Sequence, residues 1–143
     1  MPIIWLQKAL VITLHDRQLA EHGGTSGMRD ESLLESAMAR PQQLLAYGDP
    51  PPALADLAAS LAFGIARNHP FVDGNKRTAA VACETFIDLN GGTLNATDPE
   101  LFAHYLALAE GTLSERQFAD WLAQRVLTSP TKNLQEDPAS YQK

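Results

Sequence analysis

The sequence predicts an all-α protein, a compact bundle of about six helices with a chemically dense loop between two central helices. Two observations predict it. Apolar residues recur at the helical i, i+3, i+4 spacing, most cleanly at Leu54, Leu57, Ala58, Leu61, Ala62 and Ile65. No alternation of apolar and polar residues runs longer than a few positions, so nothing reads as a half-buried strand. The chain has 143 residues, 45% of them hydrophobic, which is enough for one domain with its own core, assigned to residues 1–128.

The elements follow from local signals. A first helix is expected over about residues 4–21, stopped by Gly23 and Gly24. Its start, Ile3-Ile4-Trp5-Leu6, also suits a short extended segment. Asp30 is placed to cap a second helix, with Glu31 in the first turn and Leu33, Leu34, Ala37 and Met38 on one face. Pro41 is expected to limit it, because a residue before proline avoids the helical region. Tyr47-Gly48-Asp49-Pro50-Pro51-Pro52 reads as an exposed loop stiffened by its prolines. The third helix carries the apolar pattern above and runs into His69, where Pro70 interrupts it. A fourth opens near Asn75 and continues to about Asn90, ended by Gly91 and Gly92. Asp98 is expected to cap a fifth, with Pro99 at its first position, apolar residues Leu101, Phe102, Tyr105, Leu106 and Leu108, and Gly111 at its end. Ser114 caps the last helix, which buries Phe118, Trp121 and Leu122, with Val126 at its end. Residues 129–143 turn polar, with Pro130 and Pro138, and read as a flexible tail.

Bulk properties exclude several classes. A net charge of −6 argues against direct nucleic-acid binding, which draws its affinity from phosphate neutralisation. The one cysteine, Cys83, has no partner for an internal disulfide and sits mid-helix in an apolar run, as a buried inert thiol does. There is no basic n-region before an apolar run and no 18-residue apolar span, so the expectation is a soluble, cytoplasmic protein with no membrane partner. His15, His22, His69 and His104 are scattered, with no His-Glu-x-x-His run for zinc, and no P-loop signature is present. Trp5 and Trp121 read as core residues.

The chemistry concentrates in residues 69–78. An apolar helix delivers His69 to its C-terminal end, a short turn with Pro70 and Gly74 follows, and a new helix starts near Asn75. The free N–H groups of Gly74, Asn75 and Lys76 at such a start form an anion site. Arg77 adds a charge that forks onto phosphate oxygens. Asp73 beside a phosphate suits a magnesium ligand. Histidine is the side chain suited to exchanging protons at neutral pH, so His69 suits a base that accepts a proton from an attacking hydroxyl. Phe71 plugs the turn into the core. Taken singly, each residue has a plainer reading: a structural histidine, a helix cap, a turn glycine, a solvated basic face. Together they place base, metal ligand, anion nest and phosphate clamp within nine residues.

The stretch His-Pro-Phe-x-Asp-Gly-Asn-Lys-Arg, residues 69–77 with Val72 at the variable position, resembles the signature of the Fic/Doc superfamily. The segment Gly23-Gly24-Thr25-Ser26-Gly27-Met28-Arg29-Asp30, then Leu33-Leu34-Glu35-Ser36-Ala37 and Arg40-Pro41, is similar to the first half of Doc-type, death-on-curing toxins, as is Leu89-Asn90-Gly91. The similarity covers about residues 8–127. It implies the all-helical Fic fold and a nucleotide-dependent transferase acting on a protein hydroxyl. By the same resemblance His69 is the base, Asp73 holds Mg2+, Gly74 and Asn75 form the anion hole, Arg77 binds phosphate and Phe71 anchors the loop.

Lys76 bears on the reaction. Family members that transfer AMP usually have glycine there. Doc-type toxins have lysine and are associated with ATP bound in the reverse sense, so that the γ-phosphate passes to a threonine of elongation factor Tu and translation stops. Gly74 is the Fic-like residue; the founding Doc toxin has alanine at that place. The resemblance therefore implies a kinase, with nucleotidyl transfer as the alternative and an inactive Fic-fold binding protein as the second alternative. Many relatives carry an inhibitory Ser/Thr-x-x-x-Glu-Gly/Asn helix. Here Glu110-Gly111 is preceded by Leu106 where Ser or Thr is needed, and the motif lacks a second arginine. Restraint is expected instead from a separate Phd-like antitoxin whose disordered segment folds on the toxin.

Overall fold

The computed structural model describes residues 2–128; the segment read as a flexible tail, 129–143, lies outside the described residues. Six helices are present among them: α1 (Lys8–His22), α2 (Glu31–Tyr47), α3 (Leu54–Asn68), α4 (Asn75–Leu89), α5 (Asp98–Glu110) and α6 (Glu115–Arg125). Two short strands, β1 (Gly92–Leu94) and β2 (Val126–Thr128), pair antiparallel with Thr93 opposite Leu127. The predicted all-α class holds, with this two-stranded addition.

The organising element is α3. Its apolar stripe is joined by buried Ala55, Ala59, Ser60, Gly64 and Ala66 on the remaining faces. A helix apolar or small all round belongs inside the bundle, and α2, α4 and α6 pack around it. The small residues permit close approach. A Cβ added to Gly64 would lie 2.9 Å from the Cβ of Ala37 on α2. One continuous core results, with Phe71, Phe86 and Phe118 among its largest fully buried side chains.

Four local expectations shift. The first helix begins at Lys8, not Ile4; the preceding residues take the extended alternative, tied down by Asn90, which accepts from the Ile4 N–H (2.7 Å) and donates to its carbonyl (2.9 Å). Pro41 does not end α2, which continues to Tyr47. Proline removes one helical bond, to the carbonyl of Ala37, and costs about 3 kcal/mol. Burial of Leu34, Ala37 and Pro41 itself, with Leu44 packed on the core beyond it, outweighs that cost. The cap of α5 is Thr97 rather than Asp98: the Thr97 hydroxyl accepts from the Glu100 N–H while Glu100 accepts from the Thr97 N–H, so Pro99 falls one place later. Val126 belongs to β2, not to the last helix. The predicted caps at Asp30 and Ser114 stand where expected, as does the stop at Gly111. No helix among the described residues is long and apolar enough to cross a membrane.

Candidate functional site

The site is built at the junction of α3 and α4. His69 closes α3 in the left-handed region, at φ 50° and ψ 57°, rare for a residue with a side chain. Arg29 holds it there. Its guanidinium donates to the carbonyls of Asn68 and His69, both at 2.6 Å, capping the end of α3 with a positive charge. The backbone N–H groups of Arg29 and Asp30 both donate to the Pro70 carbonyl. His69 itself is exposed, and its imidazole makes no hydrogen bond among the described residues, so both ring nitrogens are available.

The loop is locked from inside. Asn75 is 8% exposed; its side chain accepts from the Phe71 N–H and donates to the Phe71 carbonyl, both at 2.9 Å. Phe71 is buried, and its ring stacks on His15 of α1 with centroids 3.7 Å apart and planes 8° from parallel. His15 Nε2 lies 2.8 Å from the Asp73 carbonyl. A carbonyl can only accept, so Nε2 carries the proton. The segment before α2 runs alongside, with Val72 N–H donating to Gly27 and Met28 bridging Phe71.

Asp73 is held by two backbone donors, Thr25 N–H at 3.1 Å and Gly74 N–H at 2.8 Å. These bonds, with the charge of Arg77 adding to them, hold its carboxyl below the usual aspartate value. Each oxygen retains a free lone pair, so the group could still bind a hard cation. Gly74 turns the chain at φ 77°, and the first α4 bond runs from Thr78 N–H to the Gly74 carbonyl. The N–H groups of Asn75, Lys76 and Arg77 therefore have no acceptor within the helix. The Gly74 N–H is taken by Asp73, and the Asn75 side chain is turned into the core, so anion binding here rests on the backbone of the first helical turn. Lys76 and Arg77 are exposed and, among the described residues, in no ion pair.

All six residues singled out by sequence, His69, Asp73, Gly74, Asn75, Lys76 and Arg77, line one open cavity of about 1010 Å³. It extends along α4 past Ala80 and Glu84, against Leu101 and Tyr105 of α5. Sequence reasoning missed the residues that hold the loop in shape: His15, Thr25 and Arg29. It also missed Glu84, an acid seven positions after Arg77 on an otherwise apolar helix face, which is a readable signal.

Gly24 has a specific reason to be glycine. A Cβ there would lie 2.9 Å from Asp73 Oδ2 and 2.9 Å from Leu19 Cδ2, at φ 127°. At neighbouring Gly23 nothing lies within 4 Å of such an atom. Gly24→Ala is expected to destabilise the protein by about 1–3 kcal/mol, from strain plus the clash, and by more than Gly23→Ala. Urea unfolding of the two variants compares them; equal losses would reject the idea that Gly24 makes room for Asp73.

The Fic/DOC family model matches residues 5–87. The chain is 50% identical over 74 residues to Toxin Doc of Mycolicibacterium smegmatis, covering 52% of this chain and 57% of that protein. It is 34% identical over 112 residues to Protein kinase doc of Escherichia phage P1, covering 78% of this chain and 87% of that one. The first of these matches thus spans little more than half of its relative's length. Most of α1 through α4, including the whole loop and the Arg29 segment that braces it, falls inside the matched region, and the chain belongs to the Fic/DOC family.

Proposed function

We propose that this protein is a Doc-type toxin that transfers the γ-phosphate of ATP to a hydroxyl, a threonine's, of a translation factor such as elongation factor Tu. The observation that carries the reading is the meeting, in one cavity, of a histidine without a hydrogen-bond partner, an ionised aspartate, a helix start with free N–H groups and two cations without an ion pair, all among the described residues. The similarity to a protein named as a kinase supports the choice of reaction.

In this reading the acceptor hydroxyl enters beside His69. The imidazole takes its proton, the oxygen bonds to the γ-phosphorus, and the bond from that phosphorus to the bridging oxygen breaks, so ADP leaves with the electron pair. The N–H groups of the first α4 turn and the Arg77 guanidinium hold the phosphate chain against the helix dipole. Lys76, mobile on its stem at the same turn, neutralises the charge gathering on the transferred group. Asp73 fits Mg2+: one carboxylate kept ionised, with lone pairs left over, beside phosphates that supply the remaining oxygens. Bound there, the ion would neutralise phosphate charge and fix the chain's orientation. Arg29, His15 and the Asn75 side chain touch none of the reacting atoms; they hold the loop that carries them. Restraint falls to a Phd-like antitoxin, whose C-terminal segment would fold on the toxin surface.

Gly74, which turns the chain at φ 77°, is the Fic-like residue of the loop and favours a second reading, AMP transfer. Intact mass of purified elongation factor Tu after incubation with ATP and the chain separates the two. A gain of one phosphate is expected; a gain of one AMP gives the alternative, and no gain removes elongation factor Tu as acceptor. Lys76→Gly is expected to lower phosphate transfer at least about tenfold and shift the product toward AMP addition, if Lys76 sets which phosphorus faces the hydroxyl. An unchanged product at an unchanged rate would reject that role.

A further inference from the structure

The cavity continues well past its phosphate-binding end. Arg77, Ala80 and Glu84 follow one another along α4 at steps of three and four residues and so share one side of the helix. At the helical rise, Glu84 lies about 10 Å along the axis from Arg77. That is the reach of a nucleotide from its phosphate chain to its base. Across the cavity, Tyr105 of α5 is 6% exposed, and its hydroxyl donates to Glu84 Oε2 at 3.0 Å. The tyrosine fixes one carboxylate oxygen from the core side and leaves Oε1 without a donor among the described residues. Burial pushes the Glu84 carboxyl above its ordinary value, which a further donor would relieve. Apolar Ala80 and Leu101 flank it, and Phe102 stands largely exposed, at 67%, at the same cavity. Apolar side chains beside an acceptor oriented by Tyr105 suit the face and the edge of a base; Asp98 and Glu110 also line the cavity, without a tyrosine to orient them.

We infer that Glu84, positioned by Tyr105, reads the nucleotide base by accepting a hydrogen bond from an exocyclic amine. The inference rests on the phosphate-site reading above and adds a base preference to it. A carboxylate here repels phosphate, so it does not extend the anion site. It lies about two turns along α4 beyond Arg77, on the side away from the loop that carries His69, so it does not meet the acceptor hydroxyl. Adenine offers the amine required; unsubstituted purine offers only acceptor nitrogens on that edge.

The test compares binding of ATP and purine riboside 5′-triphosphate, which lacks only the exocyclic amine, by titration calorimetry with Mg2+ present. The intact protein is expected to bind ATP about ten- to a hundredfold tighter, the range of a hydrogen bond to a charged group. Glu84→Ala is expected to erase the difference by weakening ATP alone, and Tyr105→Phe to narrow it. Equal affinities in the unaltered protein, or a preference that survives Glu84→Ala, would overturn the inference and leave the phosphate site standing. Binding of neither nucleotide would overturn both. Should Glu84→Ala fail to fold, the ratio in the unaltered protein and in Tyr105→Phe still decides.

Discussion

His69→Ala is expected to lower transfer by about 10²- to 10⁴-fold, the range a positioned general base supplies, while leaving stability within about 0.5 kcal/mol of the unaltered protein. The two halves of that expectation have separate causes. His69 is exposed and its ring hydrogen-bonds to none of the described residues, so its removal uncovers no buried surface and orphans no partner among them. The left-handed backbone at this position is held by Arg29 through main-chain carbonyls, which alanine keeps. Alanine also carries a Cβ, so the conformational cost is shared by both residues. Initial rates of label transfer and urea unfolding measured together check both. A large fall in stability accompanying the loss of activity would make His69 a structural residue and remove the observation on which the catalytic reading rests.

Phe71→Ala is expected to produce the largest stability loss in the loop, about 3–5 kcal/mol, the usual cost of truncating a buried phenylalanine. The ring is 1% exposed and stacked on His15, which is itself 2% exposed. Its removal leaves a cavity facing a polar imidazole whose own bond holds the Asp73 carbonyl. Domains of this kind have about 5–15 kcal/mol in total, so the variant should unfold at a much lower urea concentration and lose transfer because Asp73 and the first turn of α4 are no longer registered. Phe71→Leu, which keeps most of the buried volume, should recover much of the stability. A loss under about 1 kcal/mol for Phe71→Ala would show that the loop's hydrogen bonds hold it without the Phe71 ring.

The helices and the reactive loop were legible because their signals are local. The α3 pattern, the Asp30 and Ser114 caps and the glycine at the α4 start each depend on residues within a turn or two. What the sequence concealed depends on contacts across the chain. Arg29 acts on carbonyls 39 and 40 residues away, and His15 on one 58 residues away. Nothing in the neighbourhood of either residue marks that role. Pro41 misled because a local rule gave way to burial against α3. The strand pair escaped because three residues on each side are too few for an alternation to show. Asn75 was legible as a site residue for its backbone, whereas its side chain proved to be the inward clasp that shapes the site.

The most direct test of the central claim is label transfer from ATP carrying the radiolabel at either the α or the γ position, in cell extract, with the unaltered protein and with His69→Ala. The expected result is a protein band labelled from the γ position, unlabelled from the α position, and absent with His69→Ala. Label from the α position would contradict phosphate transfer, and neither label, with His69→Ala arresting growth as the unaltered protein does, would contradict the enzyme itself.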